Sequence, residues 1–139
     1  VYFLTGKPLT EHFASTVSPL AAHRVVAVAL SPPVGWIAER VRARVDAQFE
    51  RGLMDEVRGL LERGVPESAR PFGGLVYRQA LDLLHGVRDE AGTRELIVRQ
   101  NRHYARRQLI WFRKEPNLVW LQTSGENPET LAAVQALLP

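Results

Sequence analysis

Cysteine is absent from the 139 residues, which excludes disulfides and thiolate metal sites and suits a reducing, cytoplasmic setting. No apolar run approaches the roughly 20 residues of a membrane span, and the start lacks the layout of a signal peptide, so a soluble chain without a membrane partner is expected. Repeats and low-complexity stretches are missing as well. The four histidines, His12, His23, His85 and His103, lack metal-ligand spacing, and no carboxylate joins them in a zinc pattern. A serine nucleophile elbow and a paired-carboxylate pattern are also lacking, which leaves a hydrolase without support. Charge of one sign is scarce: 18 lysines and arginines against 15 acids leave a net charge of +3, which permits a nucleic-acid partner without requiring one. The chain opens at Val1 without a methionine, and residues 1–20 read as the end of a preceding helical segment, so an upstream portion is expected.

What is present has the apolar and charged content of one ordinary globular domain. Val25 to Leu30 is an unbroken apolar run, as in a parallel-sheet strand covered on both faces, and it ends at Ser31-Pro32-Pro33. The prolines open a helix with Val34, Ile37, Val41, Val45 and Phe49 on one face, ending near Arg51-Gly52; Arg40, Arg44 and Arg51 share a second arc. Leu53, Val57, Leu60 and Leu61 continue as a second amphipathic helix that stops at Gly64. After a Pro- and Gly-containing loop, a short helix runs from about Val76 to His85. A long helix follows from about Gly92 to Lys114, then a second strand at Leu118–Gln122. Asn127 and Pro128 start a final helix with Leu131, Val134 and Leu138 facing inward. This is an α/β pattern with two strands and about five to six helices, and it is incomplete, because two buried-type strands cannot pair all their own edges.

The long helix carries the main functional signal. At about 100° per residue, Arg99, Arg102, Arg106 and Arg113 fall in one narrow arc, while Ile97, Tyr104 and Trp111, with Val98, Ala105 and Phe112, form a broad apolar face. Four aligned like charges repel on an isolated helix, so the arc is either a solvated face or a grip for an anionic partner. Asn101 and Gln108 project from the apolar side, where each either locks the core to a backbone or reads a polar ligand. Trp111 is expected to pack rather than to stack on a base.

The order of motifs resembles the C-terminal part of bacterial tRNA dimethylallyltransferases, the isopentenyl-tRNA transferases. Val1 to Leu9 matches their Val-Tyr-x-x-Thr-Gly-Lys-Pro-Leu run. Pro32-Pro33, Arg40, Arg44, Gly52-Leu53 and Glu56-Val57 match the proline pair, the Arg-x-x-x-Arg and the Gly-Leu-x-x-Glu-Val. Val76-Tyr77-Arg78-Gln79 stands for Gly-Tyr-Arg-Gln, and Tyr104 to Arg113 for Tyr-Ala-Lys-Arg-Gln-x-Thr-Trp-Phe-Arg. Val76 in place of the glycine, Arg106 in place of the lysine and Ile110 in place of the threonine are departures; Val76 puts the local loop geometry in question.

The resemblance implies the C-terminal portion of a single P-loop-type parallel-sheet transferase domain over 1–139. Such an enzyme moves a dimethylallyl group from dimethylallyl diphosphate to the N6 amine of the adenosine beside the anticodon of a tRNA. It implies magnesium, held by a P-loop portion that is not in this chain, and a monomeric complete enzyme. Gly6-Lys7-Pro8 is no P-loop remnant, since proline offers no hydroxyl to the metal. The chain by itself is expected to be inactive. By resemblance, tRNA is touched by Phe72, Gly73, Gly74, Leu75, Val76 and Tyr77, and by Arg102, Arg106, Arg107, Gln108, Trp111 and Arg113. Arg44 and Arg78 are candidates for stabilising the departing diphosphate; alternatively Arg44 pairs with Asp46 or Glu56, and Arg78 with loop carbonyls. A free-standing RNA-binding module without chemistry is the competing reading.

Overall fold

Two parallel strands and seven helices make up the computed structural model, which describes residues 1–138. In chain order they are α1 (Tyr2–Thr5), α2 (Leu9–Ser15), β1 (Ala27–Leu30), α3 (Val34–Glu50), α4 (Leu53–Glu62), a 3-10 turn at Arg70–Gly73, α5 (Tyr77–Leu84), α6 (Glu90–Phe112), β2 (Leu118–Leu121) and α7 (Glu129–Gln135). The two short helices of the N-terminal arm raise the count above the expected five to six. Residues 1–24 are exposed apart from the half-buried His12, and the side-chain hydrogen bonds of this arm, such as Thr5 Oγ1 to His12 Nε2 at 3.0 Å, stay within it.

β1 and β2 pair in parallel with Ala27 opposite Leu118 and Leu30 opposite Leu121, and the Ser31 amide extends the ladder by donating to the Leu121 carbonyl at 2.8 Å. Within this chain the strand is covered in part: Ala27, Val28 and Ala29 are half-buried and Leu30 is exposed. A strand becomes fully covered only when layers lie on both faces, and among the described residues this sheet has two strands.

Beyond β1, Pro33 stands extended (φ −53°, ψ 144°) at the N-cap of α3. The chain leaves α3 through Gly52, whose φ of 90° is left-handed and costs a residue with a Cβ about 1–2 kcal/mol, so glycine separates two helices that would otherwise fuse. One core cluster joins Leu53 and Val57 of α4 to Phe72 of the 3-10 turn and to Ala80 and Leu81 of α5. A second joins Val45 of α3 to Ile97 and Val98 of α6, and Phe49 and Val76 touch both. The four helices α3 to α6 therefore share one continuous apolar interior.

Three local expectations change. α6 begins at Glu90 rather than Gly92, because the Asp89 carboxylate accepts the Gly92 amide at 2.8 Å and so caps the helix two residues earlier. Val76 sits at φ −96°, ψ −46°, an ordinary right-handed conformation, so the valine needs none of glycine's freedom there. Leu131 of α7 (67% exposed) and Leu138 beyond its end (55%) are exposed, whereas Thr130 is buried. Thr130 is held by Thr123 Oγ1 at 2.8 Å and the Ser124 carbonyl at 2.7 Å, and those bonds set the rotation of the helix.

Candidate nucleic-acid interface

Helix α6 spans 23 residues, about 34 Å at 1.5 Å per residue, and only its first half is embedded. Thr93, Ile97 and Val98 are buried. Arg94 lies over the Phe49 ring at 4.1 Å while donating to Asp46 at 3.0 Å and Glu90 at 2.8 Å, and Arg42 of α3 donates to Glu95 at 2.8 Å. The Arg42 hydrogen bond, then its charge, holds the Glu95 carboxyl below the usual carboxylate range, and the same contact raises the Arg42 guanidinium.

From Arg99 onward α6 stands proud of the core. The predicted apolar face is not packed here: Tyr104 is 46% exposed, Trp111 60% and Phe112 39%. Periodicity identified the face correctly but not whether this chain covers it. Trp111 rests against Phe112 at 5.1 Å between ring centroids, and Arg107 lies 5.9 Å from the centroid of the Tyr104 ring. Asn101 donates to the Ile97 carbonyl of its own helix at 2.9 Å, while Gln108 is exposed.

The arginine arc meets α3. Arg99, Arg102, Arg106 and Arg113 border a groove of about 600 Å³ whose opposite wall is Val34, Ile37 and Ala38. All four arginines are exposed, and among the described residues none has a carboxylate partner, in contrast to Arg40, Arg42, Arg58, Arg78, Arg88 and Arg94. Unpaired, clustered guanidiniums present donors in a fork that fits phosphate. Arg99 and His103 extend this border beyond the residues expected to touch tRNA; helical spacing already placed Arg99 in the arc. The α3 wall had no signal in the sequence, because it depends on how the two helices cross.

The loop from Phe72 to Tyr77 is divided. Phe72 is buried in the core and its ring is not offered outward. Gly73 and Gly74 are exposed, and Leu75 and Val76 half-buried. Tyr77 packs edge-on against Phe72 at 6.0 Å and donates its hydroxyl to Glu56 at 2.6 Å; that bond, with burial and the carboxylate charge, raises the phenol above its ordinary value. Leu75, Val76 and Tyr77 line a separate groove of about 370 Å³ with Gln48, Arg51 and Glu56.

Of the two candidate diphosphate arginines, Arg44 is exposed on α3, and neither Asp46 nor Glu56 pairs with it: Asp46 receives Arg94, and Glu56 receives Tyr77. Arg78 lies 3.7 Å from Asp82, its partner one turn along α5, rather than on loop carbonyls. Arg40 pairs instead with Glu126 and stacks 5.5 Å over Trp36. Among the described residues no three carboxylate or imidazole groups converge to hold a metal. No described helix is long and apolar enough to cross a membrane.

The family model described as IPP transferase matches residues 1–115. The chain is 40% identical over 132 residues to a tRNA dimethylallyltransferase of Solibacter usitatus, covering 93% of this chain and 42% of that protein. It is 36% identical to tRNA dimethylallyltransferase 1 of Pelobacter propionicus, over 96% of this chain and 42% of that protein. In structure it is similar to the full-length tRNA isopentenylpyrophosphate transferase of Bacillus halodurans, with a TM-score of 0.74 and 27% identity over 91% of this chain and 41% of that one. The chain thus spans about two fifths of the length of the curated relatives it matches.

Proposed function

This chain belongs to the IPP transferase family, and on that premise we propose that it supplies the RNA-gripping part of a tRNA dimethylallyltransferase. The reaction joins the N6 amine of the adenosine beside the anticodon to the allylic carbon of dimethylallyl diphosphate. A C–N bond forms while the C–O bond to diphosphate breaks, the diphosphate leaves with the electron pair, and the amine releases a proton to a base outside this chain. Magnesium and the phosphate loop belong with that outside portion, and the working enzyme is a cytoplasmic monomer.

Within this division of labour the four exposed, unpaired arginines that border the groove between α3 and α6 carry the reading. A target base stacked in a loop must turn out before its amine is reachable, and the strand that releases it needs anchoring. Guanidiniums on phosphate anchor it without reading sequence, Gln108 is free to pair with a base edge, and the exposed Trp111 offers a ring. Arg44, with no carboxylate of its own, is the better placed of two groups to meet charge growing on the departing diphosphate; Arg78 shares its charge with Asp82.

Binding across a salt series tests this. Replacing Arg102 and Arg106 together by alanine is expected to weaken tRNA binding and to flatten the slope of log K against log salt by about 1.4, since each phosphate contact releases roughly 0.7 counterion on a single strand. An unchanged slope overturns the assignment.

A further inference from the structure

An acidic side chain beside a surface that meets a polyanion needs a reason to be there. Glu56 is exposed on α4 and lines the groove of about 370 Å³ with Arg51 and with Gly74 to Tyr77, part of the loop expected by resemblance to touch tRNA. Among the described residues no cation pairs with it, and Arg51 turns its Nε to the Ala47 carbonyl at 3.1 Å. A carboxylate left in that state repels phosphate and lowers affinity for RNA.

Glu56 is engaged by a neutral donor. Its carboxylate accepts the Tyr77 hydroxyl at 2.6 Å, which ties the start of α5 to α4 across 21 residues of chain. A hydrogen bond to a charged acceptor is roughly twice as strong as a neutral one, and here it raises the Tyr77 phenol above its ordinary value, so the proton stays on the donor. What the bond holds is a short loop. Phe72 is sunk in the core at one end, and Tyr77 leans edge-on against it at 6.0 Å at the other. Between them Gly73 and Gly74 are exposed, and glycine has the most backbone freedom to lose when a path is fixed. The Gly74 amide reaches the Pro71 carbonyl at 3.0 Å and the Arg78 amide reaches the Gly74 carbonyl at 3.1 Å; the side-chain tether of this turn is Tyr77 on Glu56.

Resting on the RNA reading above, we propose that Glu56 is a positioning residue for tRNA binding: through Tyr77 it holds the 73–76 loop in the conformation that meets RNA. The ordering it provides outweighs the repulsion of its charge. The consequence is a reversed sign, because deleting an unpaired acid near a polyanion tightens binding, whereas deleting this one loosens it.

Anisotropy titrations of labelled tRNA with the full chain test the sign. Glu56→Ala and Tyr77→Phe are each expected to raise Kd about tenfold, the apparent affinity falling with the fraction of chains whose loop stays competent. The double variant is expected to lose no more than either single one, since both remove the same bond. Glu56→Gln keeps an acceptor for the hydroxyl and is expected to bind as the parent does or more tightly. The slope of log K against log salt should be shared by parent, Tyr77→Phe and Glu56→Gln, because no phosphate contact is lost. Amide exchange at Gly74 should quicken in Glu56→Ala and Tyr77→Phe while that at Ile97 stays slow, which reports a freed loop on an intact fold. Tighter or unchanged binding by Glu56→Ala, a Glu56→Gln variant as weak as Glu56→Ala, or losses that add in the double variant each overturn this role while leaving the RNA reading intact. A parent chain without salt-dependent tRNA binding overturns the RNA reading and this role with it.

Discussion

The two halves of α6 use arginine in opposite ways. Before residue 99 every arginine contact is closed within the protein: Arg94 reaches Asp46 and Glu90 across the Phe49 ring, and Arg42 reaches Glu95. From Arg99 onward, Arg99, Arg102, Arg106 and Arg113 line up without a carboxylate, beside aromatic rings that the chain leaves uncovered. The first half spends its charge on joining helices, whereas the second keeps its charge available. The same residue type therefore carries structure or function according to whether an acid stands opposite, a distinction that composition cannot supply.

That contrast can be broken at the embedded half first. Ile97 is fully buried between α3 and α6, and Ile97→Ala is expected to cost about 2–5 kcal/mol in urea unfolding, the lost transfer energy plus the cavity left behind. A cost under about 1 kcal/mol would mean that this half is no better anchored than the other. Arg94→Ala removes two charged hydrogen bonds and a ring contact, for an expected loss of about 1–3 kcal/mol, while Arg102→Ala should stay within about 0.5. Binding should sort them the other way, with the RNA salt slope unchanged in the first variant and reduced in the second. The smallest effect is with pH. Because Arg42 lowers the folded-state pKa of Glu95, the stabilising contribution of this pair is complete above the unfolded carboxyl value and disappears as pH falls through the folded one. Thermal unfolding of Glu95→Gln beside the parent protein should therefore converge in acid and separate toward neutrality. A gap that persists in acid would contradict the pairing.

Much of this division was legible in residue order. The Val25–Leu30 run with Pro32-Pro33 located β1 and the start of α3, and helical spacing put four arginines in one arc. The unread parts have a common cause. Periodicity reports that a face is apolar but not what covers it, so Tyr104, Trp111 and Phe112 read as packed and prove exposed. Likewise Leu131 reads as inward, yet a short helix takes its rotation from tertiary hydrogen bonds, here those of Thr130 with Thr123 and Ser124. The α3 wall of the groove, with Ile37 opposite Arg102, arises only from a helix crossing and has no local signature.

The parallel register sets when this molecule can assemble. Ala27 meets Leu118 only after about ninety residues have passed between them, the longest loop in the chain to be closed by hydrogen bonds. Closing so long a loop is slow unless the intervening segment has already contracted, and here that segment is the helical body of α3 to α6. Within this chain β1 is synthesised before β2, so their pairing waits for the helices between them. The arginine-bearing helix immediately upstream of β2 is then the last helix to be drawn in before the sheet locks.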